Sequence, residues 1–206
     1  MTAVGVAYYF QDNSLGLLNF LNMPSLISII FSIMILDLTI YWQHVFFHKF
    51  PLLWRLHRMH HSDLDFDVST GARFHPIEII LSMLIKITVI ILLGAPPLAV
   101  LIFEILLNAM AMFNHGNIFL PPKLDALLKI FVVTPDMHRI HHSIRIDETN
   151  SNFGFNIALW DRIFGTYISY SKDGQEGIII GINQLRSPKY LKLHWLLIQP
   201  FLKIKK

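Results

Sequence analysis

Eight of the chain's eleven histidines fall into three short boxes whose spacing suits metal ligation. His44 and His48 stand four residues apart, which on a helix stacks two imidazoles on one face, a turn apart. His57, His60 and His61 follow an i, i+3, i+4 pattern, and His138, His141 and His142 repeat it. Each H-x-x-H-H box therefore presents three rings to one side of a helix. Imidazole suits Fe, Zn, Cu and Ni, and eight rings are too many for one tetrahedral zinc, so the count favours two metal ions. A lone histidine is usually a surface residue or a hydrogen-bonded core residue. A duplicated five-residue box beside an H-x-x-x-H pair, all flanking apolar stretches, points to metal instead. With no cysteine in the chain, disulfides, thiolate metal sites and Cys nucleophiles are excluded.

These boxes, set in an apolar chain, resemble those of the fatty acid hydroxylase and sterol desaturase superfamily of membrane di-iron oxygenases. The flanking text adds to the likeness. Arg73-Phe74-His75-Pro76-Ile77-Glu78 is similar to the superfamily's R-x-H-P-x-E segment, while Asn152-Phe153-Gly154 and Trp160-Asp161-Arg162-Ile163-Phe164-Gly165-Thr166 are similar to its N-F-G and W-D-x-x-F-G-T tail. The likeness runs from about Asp37 to Tyr167. It implies two iron ions as cofactor, O₂ as co-substrate, and oxidation of a membrane lipid such as a sterol or fatty acyl chain. Hydroxylation of an unactivated C–H is the expected outcome, and desaturation uses the same oxidant. No catalytic group beyond the metal ligands is expected. Electrons would come from an external donor, a ferredoxin, cytochrome b5 or reductase, because no flavin, haem or nicotinamide motif is visible. The resemblance also implies a ninth ligand, His115, by its order between the boxes and its H-x-N neighbourhood. His75, although part of the pattern, is read as structural, holding its loop with Glu78.

The elements that must position these rings are membrane elements. At 206 residues, 53% hydrophobic and 15% charged, with mean hydropathy +0.49, the chain reads as a small polytopic membrane protein. A first span runs from Pro24 to Tyr41 and continues through Phe47, so that His44 and His48 project from its end. Pro51 breaks that helix and starts another at a new angle over residues 52–62. Ile77 to Leu93 and Leu98 to Phe113 make a hairpin around the turn Gly94-Ala95-Pro96-Pro97. Residues 124–133 are too short to span, and Gly177 to Ile182 has β character. The expected fold is an all-α integral membrane bundle of about three spans, one hairpin included, under a histidine-rich helical cap. Residues 1–23 read as an interfacial segment anchored by Tyr8, Tyr9 and Phe10, without the features of a signal peptide. Residues 24–170 form the membrane-embedded catalytic domain, and 171–206 a tail with an amphipathic basic segment.

Charge sets the orientation. Lys49, Arg55, Arg58, Arg73, Lys123 and Arg139 flank the histidine ends of the spans, whereas the 94–97 turn carries none, which places the boxes on the cytoplasmic side and, with three spans, the amino terminus opposite. A net charge of +3, concentrated at 49–58 and 203–206, suits an anionic lipid surface and not nucleic acid. Four polar residues are candidates to hold the ligand rings from behind: Asp37, a turn or two before His44; Asp136, also a candidate N-cap for the last box; Asn117; and Asp161. Asp63, Asp65 and Asp67 lack the offsets of an EF-hand and read as a solvated loop or ring support. His194 stands apart from the site. Two rival functions remain. A metal transporter or sensor would need polar groups at the membrane midplane, whereas these boxes sit at one face; an inactive lipid-binding scaffold has no need of all eight box histidines.

Overall fold

The computed structural model describes residues 2–202; the terminal basic stretch at 203–206 lies outside the described residues. Two short helices, α1 (Ala3–Asp12) and α2 (Leu17–Phe20), precede the long α3 (Ser25–Lys49). Pro51 opens α4 (Pro51–His61), which packs closely against α3. Proline fits this place because the first turn of a helix has no use for its missing N–H. The hairpin follows as α5 (Pro76–Leu93) and α6 (Pro97–Asn114). Gly94 closes α5 in the left-handed conformation, φ 64°, which glycine adopts without steric cost. Five shorter helices complete the chain: α7 (Pro122–Leu128), α8 (Pro135–His141), α9 (Ile146–Thr149), α10 (Leu159–Ile163) and α11 (Leu193–Ile198). Among the described residues the β content is two isolated bridges, so the β character at 177–182 yields only the pairing of Ser143 with Ile180.

Among the described residues, helices α3, α5 and α6 are the three long and apolar enough to cross a membrane. At about 1.5 Å per residue the 18-residue α5 and α6 are each about 27 Å long, close to the ~30 Å hydrocarbon core. Outward residues such as Ile80, Leu84, Leu92 and Ile105 are exposed, as expected of faces that meet lipid tails and not water. At the turn end, Val6 and Ala7 of α1 pack with Leu36 and Ile40 of α3, Ile90 and Leu93 of α5, and Val100 and Phe103 of α6. Thus α1 lies against both arms of the hairpin, with Tyr8 and Tyr9 outward and Phe10 partly buried. From that apolar knot α5 and α6 diverge. They hardly approach one another along their length, though each packs on α3, and the space between them opens toward the histidines.

Candidate metal centre

Four elements deliver the rings. The end of α3 carries His44 and His48, α4 carries His57, His60 and His61, and α8 with the residue after it carries His138, His141 and His142. His115 caps α6. The nine rings form two groups, each with ligand atoms within 4.8 Å of one another: His44, His48, His57, His61 and His141 in one, and His60, His115, His138 and His142 in the other. Each H-x-x-H-H box is divided between them. The groups adjoin, with the His61 and His142 rings stacked at 4.4 Å between centroids.

Hydrogen bonds behind the rings fix which nitrogen faces inward. Nδ1 of His44 donates to the Phe153 carbonyl at 2.9 Å, that of His141 to the Ser151 carbonyl at 2.7 Å, and that of His115 to the Ala111 carbonyl at 2.7 Å. Nδ1 of His57 lies 2.6 Å from Glu78 Oε1. An imidazole that gives its Nδ1 proton to such an acceptor carries a lone pair on Nε2. Yet His44 Nε2 and His57 Nε2 are 3.1 Å apart, and His115 Nε2 lies 3.2 Å from His60 Nε2 and 3.0 Å from His138 Nε2. Two nitrogens bound at about 2.1 Å to one ion and a right angle apart would be about 3.0 Å from each other. Placing a proton on Nε2 of His57, and on that of His60 or His138, would turn these contacts into hydrogen bonds. It would leave His141 Nε2 and both nitrogens of His142 buried without a partner, at a cost a metal cation removes. The residues present therefore fit metal ions.

Burial tunes the rings in the same sense. It pushes the His115 imidazole down to about 4 and that of His141 to about 3, and holds His60, His61, His138 and His142 well below the usual histidine range. Neighbouring rings add to this, because each disfavours a charge on the next. The neutral form is the one that binds metal.

The polar residues expected behind the rings have other partners. Asp37 does not reach His44; its carboxylate accepts from Asn156 Nδ2 at 2.7 Å, Trp160 Nε1 at 2.8 Å and Ile157 N at 3.3 Å. On a helix an acid seven residues before His44 lies two turns away, beyond reach of its ring. Asp161 accepts from the backbone N–H groups of Phe153 and Gly154, both at 2.7 Å, and from Thr166 Oγ1 at 2.6 Å. Both carboxylates thus anchor the 152–166 loop, which in turn offers the Phe153 carbonyl to His44. Gly154 is required there, since a Cβ would lie 2.6 Å from Asp161 Oδ2. Asn152, with φ 50°, ties the loop to Met137 and Ile168 through both ends of its amide.

Asp136 and Asn117 both turn to Arg139, at 3.3 and 3.2 Å, and neither meets a ring. The N-cap of α8 is Thr134, whose hydroxyl accepts from Met137 N. Asp63 is buried on Thr70 and Arg73, while Asp65 and Asp67 are more exposed. His75 Nδ1 caps α5 by accepting from Ile77 N, and its Nε2 contacts the Leu197 carbonyl. Its expected partner Glu78 belongs to His57 instead. That pairing was missed, although the R-x-H-P-x-E segment contains Glu78 and its place in a membrane span was a signal. The three carbonyl acceptors carry no side-chain mark in the sequence. His194 is exposed beside Trp195.

A cavity of about 960 Å³ descends from His57, His60 and His138 between α3, α5 and α6, lined by Phe47, Ile79, Met83, Leu107 and Met112 among others. Its walls suit an alkyl chain entering from the bilayer.

A model of the fatty acid hydroxylase family matches residues 29–166. The ornithine lipid hydroxylase OlsE of Rhizobium tropici is 29% identical over 144 residues, covering 70% of this chain and 43% of that protein. Alkylglycerol monooxygenase of Homo sapiens is 25% identical over 152 residues, covering 71% and 32%. Sphinganine C4-monooxygenase 1 of Arabidopsis thaliana is 27% identical over 148 residues, covering 70% and 55%. The chain spans about a third to a half of the length of these relatives. No solved structure matches it.

Proposed function

The chain belongs to the fatty acid hydroxylase family, and on that premise we propose that it is a lipid monooxygenase that holds two iron ions and inserts an oxygen atom from O₂ into a C–H bond of a membrane lipid. The observation that carries this reading is the convergence of imidazole nitrogens, 3.0–3.2 Å from one another, in two adjoining buried groups, at the head of a mainly apolar cavity. Bound iron would supply the activation of O₂, with electrons from a separate donor such as a ferredoxin, cytochrome b5 or reductase. His44, His48, His57, His61 and His141 would hold one ion, and His60, His115, His138 and His142 the other.

The chain's own part is positioning. Glu78 and the carbonyls of Ala111, Ser151 and Phe153 keep four ligand rings in one tautomer and one orientation. The apolar walls exclude water and admit the alkyl chain sideways from the bilayer, and burial disfavours protonation of His60, His61, His115, His138, His141 and His142. The basic residues beside the histidine ends favour a cytoplasmic site. Relatives whose names specify ornithine lipid, alkylglycerol and sphinganine hydroxylation support a hydroxylase acting on an amphiphilic lipid over a desaturase. Mass spectrometry of lipids from cells with and without the gene tests this. A gene-dependent lipid bearing one additional oxygen is expected; a gene-dependent loss of two hydrogens would assign desaturation, and an unchanged lipid profile would contradict both.

A further inference from the structure

The cavity below the histidines carries polar groups at a depth where the bilayer offers none. On α5, Glu78, Ser82 and Lys86 recur every four residues and all line it, as do Glu104 and Asn108 on α6. Glu78 is committed to His57, and Ser82 accepts from Gln43 Nε2 at 2.6 Å. Lys86 lies ten residues past Pro76, about 15 Å along the helix, near the middle of a ~30 Å core. Its Nζ stands 2.6 Å from Glu104 Oε1; the lysine side chain is 8% exposed and the glutamate 25%, so the carboxylate keeps an open side toward the cavity. Asn108 spends its Nδ2 on the Glu104 carbonyl at 2.8 Å, and no described residue meets its Oδ1.

An ion pair at this depth carries a large desolvation cost, and two apolar side chains would bridge α5 and α6 without it. A simple tie between helices also has no need to face an open cavity. As a unit the pair is neutral, yet it offers ammonium donors beside carboxylate and amide acceptors. A phosphate or a second ammonium would compete with the pair, whereas a hydroxyl can accept from Lys86 and donate to Glu104 or Asn108 without breaking it.

We propose that Lys86, Glu104 and Asn108 form a subsite for a hydroxyl group carried partway along a lipid chain, and that this subsite sets which carbon faces the histidines. The inference rests on the lipid-oxygenase reading of the site above it. Eight residues separate Glu78 from Lys86, so the bound hydroxyl lies about 12 Å from the carbon presented to His57 and His60.

The test is equilibrium binding, to the metal-loaded protein in nanodiscs, of radiolabelled ricinoleic acid, which carries a mid-chain hydroxyl, against oleic acid, the same chain without it. Wild type should prefer ricinoleic acid by about tenfold, the effect of one hydrogen bond to a charged group. Lys86→Met/Glu104→Leu should bind both alike while keeping its metal, and Asn108→Leu, which removes an exposed side chain and no ion, should reduce the preference severalfold. Equal binding by wild type, or a full preference surviving in Asn108→Leu or in the folded double variant, overturns the subsite. A structural tie alone would lower the variant's thermal midpoint and leave the ratio unchanged. Because binding needs no turnover, the ratio stands apart from the lipid-oxidation experiment, and either reading can fail without the other.

Discussion

Each ligand ring is defined as much by what stands behind it as by what it faces. Among the described residues Glu78 is the one carboxylate that meets a proposed ligand ring directly, at 2.6 Å from His57 Nδ1, and its removal should be felt at the metal. Glu78→Ala should cut metal affinity about 10- to 100-fold, and metal titration of the folded protein measures it; unaltered affinity would make the contact incidental. His115 and His75 should differ in kind. His115→Ala removes a ring whose Nε2 meets both His60 and His138 and should lower metal content. His75→Ala removes the cap of α5, costs about 1 kcal/mol of stability, and should leave metal bound in the protein that folds. Metal analysis normalised to folded protein separates the two, and selective metal loss in His75→Ala would reverse the assignment.

Between α8 and α10 the chain folds into a loop that serves α3. Asp37 and Asp161 hold it through three hydrogen bonds each, and its carbonyls hold His44 and His141. Asp161→Ala would orphan the buried N–H groups of Phe153 and Gly154 and leave the Thr166 hydroxyl only its bond with Tyr41, a cost of roughly 2 kcal/mol or more. Thermal unfolding should show that loss, and metal content should fall with it as the Phe153 carbonyl leaves His44; a variant equally stable and equally loaded would sink this role. The loop also marks the limit of what the sequence discloses. The spans and the boxes were legible, because apolar runs and i, i+3, i+4 spacings follow from helix geometry alone. Asp37 was legible as a polar candidate behind the rings, but not its partners at Asn156 and Trp160, more than a hundred residues away. The division of each H-x-x-H-H box between two groups was equally hidden: helix geometry sets adjacent rings about 100° apart, but which ring joins which group depends on how α4 and α8 are set against α3.

Across the whole molecule, the apolar knot at the turn end and the histidine cluster lie at opposite ends of three bilayer-length helices. Single cysteines introduced at the exposed Leu98, just past the α5–α6 turn, and at the exposed Asn150, beside the last histidine box, in a chain that has none, should label from opposite sides of the membrane, and labelling from one side would refute the hairpin. On the proposed reading the metal ions would sit at one membrane face above the cavity between α3, α5 and α6, and the rest of the account depends on those ions. The most direct measurement is metal stoichiometry per folded chain in the wild type and in two paired variants, one for each histidine group. Wild type should hold two ions; His48→Ala/His61→Ala should lose one and His115→Ala/His142→Ala the other. One ion or none in folded wild type, or two ions retained in either variant, would contradict it.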